Sequence, residues 1–135
     1  MGGKTLRNGA QPGFVIGVVD DDISFREALE GLFGSFGFET RCFGSAEDFL
    51  RLARPADFRC LILDVQMTGM SGLDLHDRVR ASHPGLPTIF ITSQDDLRTR
   101  ALALDGGAVA VFGKPFDREA LISTVERLRS SAVTD

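Results

Sequence analysis

The sequence predicts an α/β fold, a doubly wound five-stranded parallel sheet with helices on both faces. Three observations predict it. Short unbroken apolar runs recur at residues 14–19, 60–63, 87–91 and 108–112, each closed by polar residues or glycine, as in strands buried on both faces. Segments with helical apolar spacing lie between them, so strand and helix alternate. The chain of 135 residues, 43% apolar and 25% charged, suits one domain with one core rather than two small ones.

In order, residues 1–13, MGGKTLRNGAQPG, are polar and glycine-rich and are expected to form a flexible N-terminal extension. The domain is expected at 14–130. Its first strand runs into Asp20, Asp21 and Asp22, and Asp22 suits a helix cap. The helix that follows carries Phe25, Leu29, Leu32, Phe33 and Phe36 on one stripe. Gly31 and Gly34 inside it each cost ~1 kcal/mol relative to alanine, so its end is expected to be loose, with Gly37 as a C-terminal cap. A weaker strand follows at 38–43, and Ser45 with Asp48 opens a short second helix. The third strand ends at Asp64. Ser71 opens a third helix on Leu73, Leu75 and Val79, closed by His83-Pro84-Gly85. The fourth strand leads to Thr92-Ser93 and the fifth to Lys114-Pro115, after which Leu121, Val125 and Leu128 mark the last helix. Residues 131–135 are expected to be a C-terminal tail.

A net charge of -4 and the lack of a basic stripe argue against direct nucleic-acid binding. No segment approaches the ~20 apolar residues that cross a bilayer, so no membrane role and a cytoplasmic location are expected. Cys42 and Cys60 have neither CxxC nor metal spacing and read as buried thiols. His76 and His83 lack a ligand partner at metal spacing and read as surface or helix-end residues.

In a parallel sheet the strand ends share one edge, so Asp20, Asp21, Asp64, Thr92 and Lys114 are expected to converge on one pocket. Carboxylates packed together repel unless a cation is supplied. Mg²⁺ takes a few carboxylate oxygens with carbonyls and waters. Asp21 and Asp64 are then direct ligands, Asp20 holds a metal-bound water, and the backbone carbonyl of Gln66 completes the protein's share. A carboxylate can also attack phosphorus when charge on the transferring oxygens is neutralised. Asp64 is the candidate nucleophile, with Lys114, Thr92 and the backbone N–H groups after Asp64 as its stabilisers.

Over residues 14–130 the sequence resembles the receiver domains of bacterial two-component response regulators. The motifs are VVDDD at 18–22, LILDVQMTGMSGLDL at 61–75, IFITSQDD at 89–96 and GGAVAVFGKPF at 106–116. The MSG and GAV...KPF phrasing is similar to receivers of the nitrogen-fixation regulator type. The resemblance implies a flavodoxin-like receiver fold in which Asp64 takes a phosphoryl group from a sensor histidine kinase or phosphotransfer protein. It implies Mg²⁺, with Mn²⁺ able to substitute, and a cis bond before Pro115. It further implies no conventional enzyme, but a domain that assists its own phosphorylation and autodephosphorylation. Kinases would dock around Ile23, Phe25 and Arg26; an output domain, a downstream protein or a phosphorylation-dependent homodimer would use the region of Arg98, Arg100, Leu104 and Val111. Gln66 and Gln94 take the two positions that tune loss of the phosphoryl group to water.

Two residues depart from the family pattern. Thr68 replaces the usual proline four residues after Asp64 and restores a backbone N–H. Val111 replaces the usual Tyr or Phe three residues before Lys114, and Phe112 beside it faces the other side of its strand. The alternative function is therefore a receiver-fold docking module whose output is uncoupled from phosphorylation. A haloacid-dehalogenase-type phosphatase would need a second Asp where Gln66 stands, and an FMN binder would not place three Asp after its first strand.

Overall fold

A computed structural model describes residues 14–134. The extension expected at 1–13 lies outside the described residues. Strands β1 (Val15–Val19), β2 (Glu39–Phe43), β3 (Cys60–Asp64), β4 (Thr88–Thr92) and β5 (Ala110–Gly113) form one parallel sheet in the order β2-β1-β3-β4-β5. Helices α1 (Ile23–Ser35), α2 (Ala46–Leu52), α3 (Gly72–Ser82), α4 (Leu97–Asp105) and α5 (Arg118–Thr134) connect and follow them. Helix α5 runs through most of the segment read as a tail. No helix among the described residues is long and apolar enough to cross a membrane.

Alternation along the strands sorts the core into two layers. Cys60 and Ile62 of β3 face α1 and α5, joining Leu29, Phe33, Leu121 and Val125. Leu61 and Leu63 face the other way, joining Phe49 of α2, Leu75 and Val79 of α3, and Ala103 of α4. Phenylalanine supplies much of the bulk: Phe43, Phe49 and Phe58 pack with ring centroids 5.2 to 6.2 Å apart. Gly17 makes room for this cluster, since a Cβ there would lie 2.8 Å from Leu61 Cδ2 and 3.0 Å from Phe58.

The weak pattern of β2 has a positional cause. It is an edge strand with one neighbour, and Glu39 and Arg41 are exposed, so of its five residues only Phe43 is buried and no continuous apolar run is required. Helix starts follow the polar residues before them: Asp22 accepts from the N–H groups of Ser24 and Phe25, Ser45 from Asp48, and Ser71 from Asp74. Asp96 caps α4 in the same way through the Thr99 N–H. Gly37 follows α1 at φ +83°, the left-handed conformation that ends helices.

Two placements correct the sequence reading. His76 is buried, its ring edge-on to Phe90 at 5.4 Å, and burial lowers its pKa so that the neutral imidazole fits the core. Its place on the inner stripe of α3, one residue after Leu75, overrides its polarity. Val111, expected on a docking face, is buried in the layer beneath α4 with Phe90 and Ala103. Phe112 packs against the opposite layer, as strand alternation requires.

Candidate functional site

The chain leaves β1 for β2 on one side and reaches β3 on the other, so the carboxyl ends of β1 and β3 flank the topological switch point. Register sets the depth of each group. Val19 pairs with Leu63, Asp64 with Ile91, and Thr92 with Gly113, which brings Asp20, Asp64, Thr92 and Lys114 to one rim. Carboxylate oxygens of Asp20, Asp21 and Asp64 lie within 4.8 Å of one another. The Lys114 backbone N–H donates to the Thr92 carbonyl at 2.8 Å, tying the end of β5 to β4. The Lys114-Pro115 bond is cis.

Lys114 Nζ lies 2.8 Å from Asp20 Oδ2 and 3.5 Å from Asp64 Oδ2, and 4.1 Å above the centre of the Phe25 ring. Arg26 donates to the Asp20 carbonyl at 2.7 Å, and the Asp22 N–H donates to Asp20 Oδ1. Asp20 is thus buried but fully engaged. Asp21 is exposed and reaches toward the loop after β3.

That loop is gripped at alternate residues. Gln66 donates its N–H to Asp64 Oδ1 at 3.2 Å, Thr68 donates to Asp21 Oδ2 at 3.1 Å, and Met70 donates to Glu47 Oε2 of α2 at 2.9 Å. Gly69 between them has φ +86°, and a side chain there would also strike the Glu47 carboxylate. Gly72 starts α3 directly behind the site: a Cβ would lie 2.0 Å from the Asp64 carbonyl oxygen. Periodicity did not single out Glu47 or Gly72, because both act through backbone groups distant in sequence or in an irregular loop.

A hydrogen-bonded triad closes the other side. The Thr92 hydroxyl donates to Gln66 Oε1 at 2.7 Å and accepts from the Gln94 N–H at 3.0 Å, while Gln66 Nε2 donates to Gln94 Oε1 at 3.1 Å. The two glutamines and the hydroxyl form one unit. Beyond it, the Arg100 guanidinium grips both oxygens of Asp95, at 2.9 and 2.8 Å, and donates to the Val111 carbonyl at 3.0 Å. One side chain therefore joins α4, the loop before it and β5.

Burial, and then the nearby Asp20 charge, push the Asp64 carboxyl up to about 6 against the pull of Lys114. For Lys114, burial opposes the ammonium, but its hydrogen bond to Asp20 and the two carboxylate charges hold its pKa above the usual value. Lys114 sets one ammonium against the Asp20 and Asp64 carboxylates, so with Asp21 the cluster carries more negative charge than Lys114 offsets. Three carboxylates around such a deficit fit a hard divalent cation. By contrast, the thiol of Cys60 is pushed up to about 12 by burial and is inert, as its place in the sheet dictates.

Fold and site together define a two-component signalling module. The family model of the response regulator receiver domain matches residues 16–126, and the chain belongs to that family. It is 40% identical over 111 residues to Nodulation protein W of Bradyrhizobium diazoefficiens, covering 82% of this chain and 49% of that protein. It is 33% identical over 109 residues to Transcriptional regulatory protein FixJ of the same organism, covering 81% and 53%. The structure of response regulator StyR superimposes with a TM-score of 0.79 at 40% identity, covering 89% of this chain and 61% of that one. The chain spans about half the length of the curated relatives it matches. Receiver domains are signalling modules that hold Mg²⁺ at an acidic site, and Asp20, Asp21 and Asp64 form such a cluster here.

Proposed function

We propose that Asp64 accepts a phosphoryl group from the phosphohistidine of a sensor histidine kinase or phosphotransfer protein, and that the phosphorylated domain signals by protein–protein contact. The observation that carries this is the gathering of Asp20, Asp21 and Lys114 around a carboxylate at the switch point. An Asp64 oxygen forms the new O–P bond as the P–N bond of the donor breaks, and the electron pair stays on the imidazole nitrogen, which takes a proton from water. Asp20, Asp21, Asp64 and the Gln66 carbonyl would hold Mg²⁺ or Mn²⁺, which supplies charge against the phosphoryl oxygens. Lys114 already spans Asp20 and Asp64 and turns to a phosphoryl oxygen. Thr92 exchanges its bond to Gln66 for one to the phosphoryl group.

Output would pass through α4 and β5 to a downstream protein, an output domain or a second copy. Leu97 and Leu104 are exposed on α4. Two observations favour the second reading, a docking module uncoupled from phosphorylation: Val111, in place of an aromatic, is buried, and Arg100 ties α4 to β5. Beryllofluoride with Mg²⁺, read by NMR of the backbone amides, separates the two. The switch predicts shifts from the pocket out to α4 and β5, absent in Asp64→Asn. Shifts confined to the pocket support the docking module.

A further inference from the structure

Thr68 stands where receivers usually carry proline, and its restored N–H is used. It donates to Asp21 Oδ2 at 3.1 Å, across 47 positions of sequence. Asp21 is exposed, and an exposed carboxylate at a loop samples several rotamers unless something holds it. The loop that holds it is itself fixed on either side, by Gln66 N–H on Asp64 and by Met70 N–H on Glu47. A carboxylate oxygen has lone pairs for more than one partner, so one N–H leaves Asp21 free to ligate.

From this we infer that the backbone N–H of Thr68 is a positioning group for the divalent cation, orienting Asp21 toward Asp20 and Asp64. The inference rests on the reading of Asp21 as a metal ligand. Groups that orient a ligand from behind typically change metal affinity by about 10-fold to 100-fold. For an exposed carboxylate the low end of that range applies. The amide, not the Thr68 side chain, makes the contact. The same bond couples the two loops: a cation that draws on Asp21 also stiffens the segment that follows Asp64.

The test is the dissociation constant of Mg²⁺ alone, by calorimetry and amide NMR, for the wild type, Thr68→Ala, Thr68→Pro and Asp21→Ala. Alanine keeps the N–H and retains wild-type affinity; proline removes it and weakens Mg²⁺ binding roughly 10-fold. If Thr68→Pro matches the wild type while Asp21→Ala binds weakly, the inference is overturned and the metal reading stands. If the wild type does not bind Mg²⁺, both fall. Should the proline variant fail to fold, the Thr68 amide itself decides. Its hydrogen exchange without metal is several-fold slower in the wild type than in Asp21→Ala, and equal rates overturn the inference.

Discussion

Lys114 sits closer to Asp20 than to Asp64, at 2.8 Å against 3.5 Å, so without a divalent cation its ammonium serves two buried carboxylates and favours the one that is not the proposed acceptor. Removing one member of a buried ionic cluster leaves the others uncompensated. Lys114→Ala should therefore lower the stability of the metal-free domain by about 3 kcal/mol. Urea unfolding checks this, and added Mg²⁺ should recover much of the loss. An unchanged midpoint would show that Lys114 is not the counter-ion.

The raised Asp64 carboxyl gives stability a pH dependence of definite sign. Between its ordinary 3.8 and about 6, the folded chain holds more protons than the unfolded chain at this group. Stability from Asp64 is thus present at low pH and is lost as pH rises through about 6. Asp64→Asn should raise the metal-free melting temperature at pH 7.5, by an amount that shrinks toward pH 4. Mg²⁺ should stabilise the wild type more than the variant. Calorimetry across pH, with and without Mg²⁺, reads both effects.

The Gln66–Thr92–Gln94 unit predicts a moderate phosphoryl lifetime, because both amides can hold a water near the acceptor once Thr92 has turned away. Losing one such hydrogen bond is worth about 1 kcal/mol, or roughly five-fold in rate. Gln66→Ala and Gln94→Ala should each lengthen the life of phospho-Asp64 by about that factor. Decay of the phosphorylated species on Phos-tag gels measures it, and unchanged lifetimes would remove both glutamines from hydrolysis.

One substitution at two glycines should have opposite signs. At Gly72 a Cβ meets the Asp64 carbonyl oxygen at 2.0 Å, so Gly72→Ala must displace β3 or α3. A loss of about 3 kcal/mol is expected. At Gly31, exposed in α1, an added Cβ meets no atom of the described residues within 4 Å beyond its own helix backbone and chain neighbours. Gly31→Ala should stabilise by up to about 1 kcal/mol. Denaturant midpoints of the two variants test the pair.

Much of the fold was legible because continuous apolar runs mark strands buried on both faces, and Asp22, Ser45 and Ser71 mark helix starts by a local rule. The gathering of strand-end residues followed from the shared edge of a parallel sheet. What escaped are contacts whose partners are backbone groups or lie far along the chain: Glu47 on Met70, Asp21 on Thr68, and Arg100 on Val111. No periodicity encodes them. His76 and Val111 misled for another reason, since residue type pointed to the surface in one case and family habit in the other, while inward placement decided both. Helix α4 left little signal because only Ala103 of its residues is buried.

The most direct test of the central claim is intact-mass and peptide mass spectrometry after incubation with a small phosphodonor such as acetyl phosphate, with and without Mg²⁺. The account predicts one phosphoryl adduct, carried by Asp64, dependent on Mg²⁺ and absent from Asp64→Asn. An adduct that persists in Asp64→Asn, or none in the wild type with Mg²⁺ and either a small donor or a phosphorylated histidine kinase, would contradict it.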